Sequence, residues 1–192
     1  MIRLLKIPEQ FGSLYVCPAE HHAHHMQHEA AHILLRHGVQ DYAQKQHITL
    51  REEHPLLSYQ EYGKPYFADY PEIHFNLSHC DGLAACLISS HECGVDAEPR
   101  RTVRSKVVER VFSEEERQML KKSDDPDWLF TRLWTLKEAY IKAIGKGLAF
   151  PMKTVNFRFE QEQIICNQKD AEFHQIFLSE HVISLCMLQE CH

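Results

Sequence analysis

The stretch HFNLSHCDGLAACLISSHECGVDAEP, from His74 to Pro99, decides how the rest of the chain is read. Phe75 and Leu77 alternate with polar residues between His74 and Ser78, as one face of a half-buried strand does. Leu83 to Ser89 opens with six apolar residues in a row, the pattern of a buried strand. Gly94 to Ala97 is a third, brief extended segment, and Pro99 is expected to end it. Cys80-Asp81-Gly82 supplies a turn between the first two segments, and Tyr62-Gly63-Lys64-Pro65 supplies another upstream. The middle of the chain is therefore sheet.

Outward from this stretch the period changes. Ala23, Met26, Ala30, Ile33 and Leu34 recur at spacings of three or four, which predicts a helix from Glu20 to His37 with Gly38 as its left-handed cap. Downstream, Ser113 and Glu116 form a capping-box pattern, with Phe112 ahead of them as a hydrophobic staple. Asp127 is the expected cap of a longer helix carrying Phe130, Leu133, Trp134, Ile141 and Ile144 and ending at Gly145. Strand-like segments follow at Val155–Phe159, Gln163–Cys166, Phe173–Leu178 and Val182–Leu188. The order, helix then strands and again helices then strands, predicts an α+β protein of two halves. The expected division is residues 1–97 and 98–192, with the seam at Asp96–Pro99.

Composition narrows the function. The chain has 192 residues, 44% of them hydrophobic and 25% charged, which is globular rather than disordered. No apolar run approaches membrane-spanning length, and the first residues lack a signal-peptide core, so a cytoplasmic location is expected. Seven cysteines without a CxxC pair read as reduced thiols. The net charge of −6 argues against a nucleic-acid partner. Against that acidic background Arg100, Arg101, Arg104, Lys106 and Arg110 fall within eleven residues, a patch suited either to an acidic partner or to plain solvation.

Four groups of residues could carry chemistry. Asp96 and Glu98 are two apart on an extended segment, so both carboxylates face one side and can share a hard cation; an edge strand can equally show such a pair to solvent. Glu138 and Lys142 share a helix face at i,i+4, the spacing of an ordinary surface ion pair as well as of a site. Ser78 and His79 are neighbours on a strand and point to opposite faces, so they are no hydrolase dyad, and no G-x-S-x-G elbow is present. His21, His22, His24, His25, His28, His32 and His37 crowd the first helix, with i,i+4 pairs that can clamp a transition metal but no acidic or cysteine partner to close the site.

Taken in register, four motifs resemble the surfactin-synthetase-activating type of 4′-phosphopantetheinyl transferase. They are Tyr62-Gly63-Lys64-Pro65, Phe75-Asn76-Leu77-Ser78-His79, Gly94-Val95-Asp96-Ala97-Glu98, and Trp134-Thr135-Leu136-Lys137-Glu138-Ala139 running on through Lys142 to Gly147-Leu148. The resemblance implies two pseudo-symmetric α+β halves with the site in the cleft between them. It implies transfer of phosphopantetheine from coenzyme A to a serine of an apo-carrier protein, with release of 3′,5′-ADP. Asp96, Glu98 and Glu138 are implied as Mg²⁺ ligands, Glu138 also as general base, and Lys142 and Asp96 as members of the catalytic set. Gly63, Lys64, Pro65, Ser78, His79 and Lys142 are implied as coenzyme contacts. An acidic carrier would dock on Arg100, Arg101, Arg104 and Lys106, and two internal halves would complete a site within a monomer. Two positions depart from the pattern: Cys80-Asp81 replaces a small Ser-Gly-like turn, and Arg36 is the only arginine of the histidine-rich helix, which leaves the 3′-phosphate of coenzyme A without an assigned partner. The competing readings are a Mg²⁺-dependent nucleotide-cleaving enzyme using the same carboxylates, and a metal-handling adaptor centred on the histidines.

Overall fold

The computed structural model describes residues 1–20, 24–161 and 163–189. His21, His22, Ala23 and Cys191 lie outside the described residues, as do the side chains of His24 and Leu148. In chain order the elements are β1 (Arg3–Leu5), β2 (Ser13–Cys17), α1 (His24–Lys45), β3 (Leu57–Tyr59), β4 (Pro65–Phe67), β5 (His74–Cys80), β6 (Leu83–Ser89) and β7 (Cys93–Pro99). There follow α2 (Ser105–Val111), α3 (Glu114–Lys122), α4 (Pro126–Ile144), β8 (Phe157–Glu160), β9 (Gln163–Cys166), β10 (Ala171–Leu178) and β11 (His181–Leu188).

Two antiparallel sheets dominate, in the orders β1-β2-β6-β5 and β10-β11-β7. Each is built the same way: a strand, a helix, then a hairpin whose second strand pairs back on the first. The series β2, α1, β5–β6 repeats as β7, α4, β10–β11, with α2 and α3 inserted ahead of the second helix. The α+β class with two like halves is thus the one observed. All of β7 pairs with β11, so the expected division at residues 97 and 98 falls inside a strand of the second sheet.

Alternation along the strands distributes the core into layers. Ala84, Cys86 and Ile88 of β6 meet Leu34, Leu35 and Val39 of α1. Leu83, Ala85 and Leu87 face the other way and share an apolar layer with Cys93, Val95 and Ala97 of β7 and Ile183 and Leu185 of β11. That double burial explains the unbroken apolar run of β6. On the far side, Leu133, Leu136 and Ala139 of α4 pack with Phe112, Phe157 and Cys186.

Several sequence expectations are corrected. The first helix does not stop at Gly38 but runs on to Lys45. Gly38 is a contact residue: a Cβ there would lie 2.9 Å from both Ile88 Cδ1 and Tyr15 Cδ2, so glycine lets α1 settle onto its sheet. Met26 and Ile33 are 45% and 43% exposed; Leu34 is buried as expected, and the rest of the buried face is Gln27, Ala31 and Leu35. The cap of α4 is Asp125, whose side chain accepts from Trp128 N–H, while Asp127 Oδ1 accepts from Val103 N–H. Ser113 and Glu116 do form the capping box of α3. Phe112 is no staple, because the position it would meet is Arg117; it stacks edge-on against Phe130 at 5.5 Å. Strands β1 and β2 went unanticipated because they are short, although Pro8, Gly12 and Pro18 bound them. Among the described residues no helix is long and apolar enough to cross a membrane.

Candidate active site

The site begins with the absence of a side chain. At Gly94 a Cβ would lie 2.0 Å from the Ala139 carbonyl oxygen, so the α4 backbone rests directly on β7. Residues two and four places further along the strand, Asp96 and Glu98, share the face of Gly94 and come to lie under Glu138 and Lys142 of the helix. Lys142 Nζ donates to Asp96 Oδ1 at 2.8 Å, to Val95 O at 3.0 Å and to Ser78 Oγ at 3.2 Å. Lys142 pairs with β7 across the helix–sheet contact, not with Glu138 along its own helix.

Ser78 joins the two halves. Its hydroxyl accepts from Ala97 N–H at 3.1 Å and donates to Asp96 Oδ1 at 3.2 Å. Asn76 Oδ1 accepts from Val95 N–H at 2.9 Å. Where β5 lies beside β7, side chains therefore take the place of ladder bonds for two edge amides. His79 points the other way, as alternation requires; its ring lies 5.9 Å from that of His28 on α1. The motif thus splits, Ser78 to the carboxylates and His79 to the histidine helix.

The electrostatics are those of crowded anions. Asp96 is buried, and its Oδ2 has no hydrogen-bond partner among the described residues. Burial first, and then the charge of Asp96, lifts Glu138 to about 7, against which Lys142 pulls. The same two causes lift Glu98 to about 7, with Arg101 and Lys142 opposing. Arg101 Nη2 sits 2.5 Å from Glu98 Oε2. Among the described residues no three His, Cys, Asp or Glu side chains stand close enough to hold a metal ion together. Two oxygens that such an ion would use, on Asp96 and Glu98, are held by Lys142 and Arg101.

Beside Glu138 and Lys142 opens a cleft of about 240 Å³, bordered by Tyr62, Gly63, Lys64, Pro65 and the Gly145–Gly147 turn. Gly63 has φ 82°, which its turn requires. Lys64 contributes backbone and stem but not its charge: the ammonium is buried and donates to Glu92 Oε2, Cys93 O and Ala143 O, tying the turn to β7 and α4. All three of its donors are engaged. A neighbouring cavity of about 300 Å³ is lined by Arg101, Thr102, Arg104, Val107, Phe130 and Trp134.

Elsewhere the expected residues are distributed as follows. Arg100 forms a two-pronged pair with Asp125, at 2.9 and 2.6 Å, so of the basic cluster Arg104, Lys106 and Arg110 are the exposed members without an ion pair among the described residues. Asp81 Oδ1 accepts from Gln27 Nε2 at 2.8 Å, which directs it toward α1. His28 and His32 meet with their Nε2 atoms 3.3 Å apart. Sequence reasoning missed Lys137, which is fully buried and pairs with Glu116 at 2.8 Å. Glu116 also accepts from Phe157 N–H at 3.0 Å and Ser113 N–H at 2.9 Å, so the capping box doubles as a bolt through the C-terminal half. A lysine in the middle of an apolar helical stripe was the available signal.

Comparison with known proteins bears on this arrangement. A family model described as the 4′-phosphopantetheinyl transferase superfamily matches residues 92–186, the segment that contributes Asp96, Glu98, Glu138 and Lys142. The 4′-phosphopantetheinyl transferase gsp of Aneurinibacillus migulanus is 38% identical over 120 residues, covering 62% of this chain and 50% of that protein. The 4′-phosphopantetheinyl transferase Sfp of Bacillus subtilis (strain 168) is 37% identical over 108 residues, 55% of this chain and 48% of its own length. Over residues 92–186 the chain belongs to the 4′-phosphopantetheinyl transferase superfamily. It spans about half the length of the curated relatives it matches. Among solved structures, the holo-[acyl-carrier-protein] synthase of Thermotoga maritima aligns with TM-score 0.46 and 22% identity, covering 52% of this chain and 64% of that one. The family match takes in β7 and α4, the strand and helix that carry the carboxylates and Lys142; Lys64, Ser78 and His79 lie ahead of it.

Proposed function

We propose that the chain transfers 4′-phosphopantetheine from coenzyme A to a serine of a carrier protein, with Mg²⁺ as cofactor and 3′,5′-ADP as the released product. The observation that carries this reading is the seam itself. Asp96 Oδ2 is buried and stays open although Lys142 holds the other oxygen of that carboxylate, and it lies among the carboxylates of Glu98 and Glu138, a set of hard oxygens. Such a set suits Mg²⁺. Asp96, Glu98 and Glu138 would hold it, and once bound the ion withdraws charge from the pyrophosphate oxygens.

The chain's own residues supply the rest. Glu138, whose carboxyl is raised to about 7 in the metal-free chain by burial and the Asp96 charge, would take the proton of the attacking hydroxyl once the cation holds it ionised. Lys142, anchored at three points, keeps a positive charge beside the reacting phosphate without needing to reorganise. Ser78 fixes the orientation of Asp96. The cleft bordered by Gly63, Lys64 and Pro65 is the proposed seat of the donor, which those residues meet through backbone and stem. His79 is kept as a donor contact from the α1 side. The proposed partner is an acidic carrier met chiefly by Arg104 and Lys106, and the proposed working form is a cytoplasmic monomer that needs no nucleic acid.

The deciding experiment is mass spectrometry of apo-carrier proteins incubated with the chain, coenzyme A and MgCl₂. Addition of one phosphopantetheine mass, abolished when the acceptor serine is alanine, is the expected result. Release of 3′,5′-ADP without any carrier would favour the nucleotide-cleaving alternative; no turnover with any carrier would overturn the transfer reading.

A further inference from the structure

Each of two site carboxylates is matched by a cation of the chain, but the two cations are held differently. Lys142 has three partners, and it uses only Oδ1 of Asp96, leaving Oδ2 open. Arg101 has one carboxylate partner, Glu98 Oε2 at 2.5 Å, on a residue whose side chain is 13% exposed while the arginine's is 48% exposed. The Arg101 backbone is fixed, its N–H donating to Thr131 Oγ1 at 2.9 Å. Its side chain also borders the cavity shared with Arg104 and Trp134, so it has room to leave Glu98 while the chain stays in place.

The geometry points to Arg101 as the resident counter-ion of Glu98, which a divalent cation displaces when the site loads. This rests on the reading of Asp96, Glu98 and Glu138 as the cation site. A guanidinium and a dication on one carboxylate repel each other, so each weakens the hold of the other, and the half-exposed guanidinium is the one free to leave. Two consequences follow. Arg101 weakens cation binding, because its ion pair with Glu98 must first be broken. On release it turns into the cavity beside Arg104, adding a second positive charge where an anionic acceptor group would approach. Cation loading and acceptor capture are thereby coupled, and the coupling acts in both directions.

The test uses Mn²⁺ as probe, titrated against the intact chain in alkaline buffer so that Glu98 stays ionised, with free Mn²⁺ read by its paramagnetic resonance signal. Variants are Arg101→Ala, Arg101→Lys and Arg110→Ala, the last removing an exposed arginine that makes no ion pair among the described residues. Arg101→Ala is expected to bind Mn²⁺ about three- to fivefold tighter, the worth of a partly exposed ion pair. Arg101→Lys should fall back toward the wild-type value, and Arg110→Ala should change it less than about twofold, through screened long-range charge alone. Equal or weaker binding by Arg101→Ala, with wild type binding normally, overturns the role of Arg101 alone. Failure of every variant to bind Mn²⁺ overturns the cation site and this proposal together.

Discussion

Glu138 stands half-buried on the flank of a helix whose other side is core, and the consequences of that position can be measured one residue at a time. Glu138→Gln keeps the shape and removes both charge and basicity, so the transfer rate should fall by about 10²-fold or more, read as kcat with a purified carrier. The same variant has a stability signature in divalent-free buffer. Glu138 is raised from its ordinary value of 4.5 to about 7, so the native state holds that proton more tightly than the unfolded chain does. The stability this gives is complete below pH 4.5 and is lost as pH rises toward 7. Glu138→Gln should therefore match wild type at the acid end and exceed it by on the order of 1–2 kcal/mol above pH 7, in paired urea titrations. A constant difference across the window would mean that Glu138 is not buried among anions. At this scale the sequence was legible where spacing carries direction: Asp96 and Glu98 on one strand face, Ser78 and His79 on opposite faces. It was not legible for Lys64, whose charge is spent on Glu92 and on two carbonyls 29 and 79 residues away along the chain, partners that only the folded topology brings together.

Helix α4 and strand β7 form the contact on which the site depends, and both ends of that contact are testable. Gly94→Ala would drive a methyl group into the Ala139 carbonyl, and backbone cannot step aside as a side chain can. A loss of about 3 kcal/mol or more, or failure to fold, is expected from thermal unfolding. On the opposite side of the helix, Lys137→Ala strands the Glu116 carboxylate with neither exposure nor counter-ion and should cost about 3–5 kcal/mol. The double variant Lys137→Met/Glu116→Gln should recover much of that loss, because it removes the uncompensated charge as well as the pair. The elements themselves were largely legible. Helix α4 was expected to end at Gly145, and it does, with that residue left-handed at φ 66°. Strand β9 falls at the expected residues, and β10 and β11 begin two residues and one residue earlier than expected. Helix α1 was misread because glycine serves two physical purposes that look alike in sequence, ending a helix or letting it approach a sheet. At Gly38 the second prevails, and α1 continues to Lys45.

Across the whole molecule, charge is the quantity that reaches a partner before contact. Arg100 is committed to Asp125, and Arg104 makes no ion pair among the described residues, so Arg104 is the residue whose reversal should weaken carrier capture. Arg104→Glu is expected to lower kcat/KM for an acidic carrier about threefold to tenfold at low ionic strength and to flatten its salt dependence, while the affinity for coenzyme A stays unchanged. Coincident curves for variant and wild type would move the docking surface elsewhere. The repeat of strand, helix and hairpin was visible only as an order of elements. What holds the two copies at their seam, Asn76 and Ser78 accepting from Val95 and Ala97 N–H, could not be read from either motif alone. That seam has a bearing on behaviour at high concentration. A strand edge with open amides is a template on which another chain can add a strand, and β7 is such an edge, closed by two side chains instead of by a neighbouring ladder. Asn76→Ala reopens the Val95 amide outside the proposed chemistry, so its first symptom should be time-dependent light scattering and dye-binding aggregates, at protein concentrations where wild type stays clear.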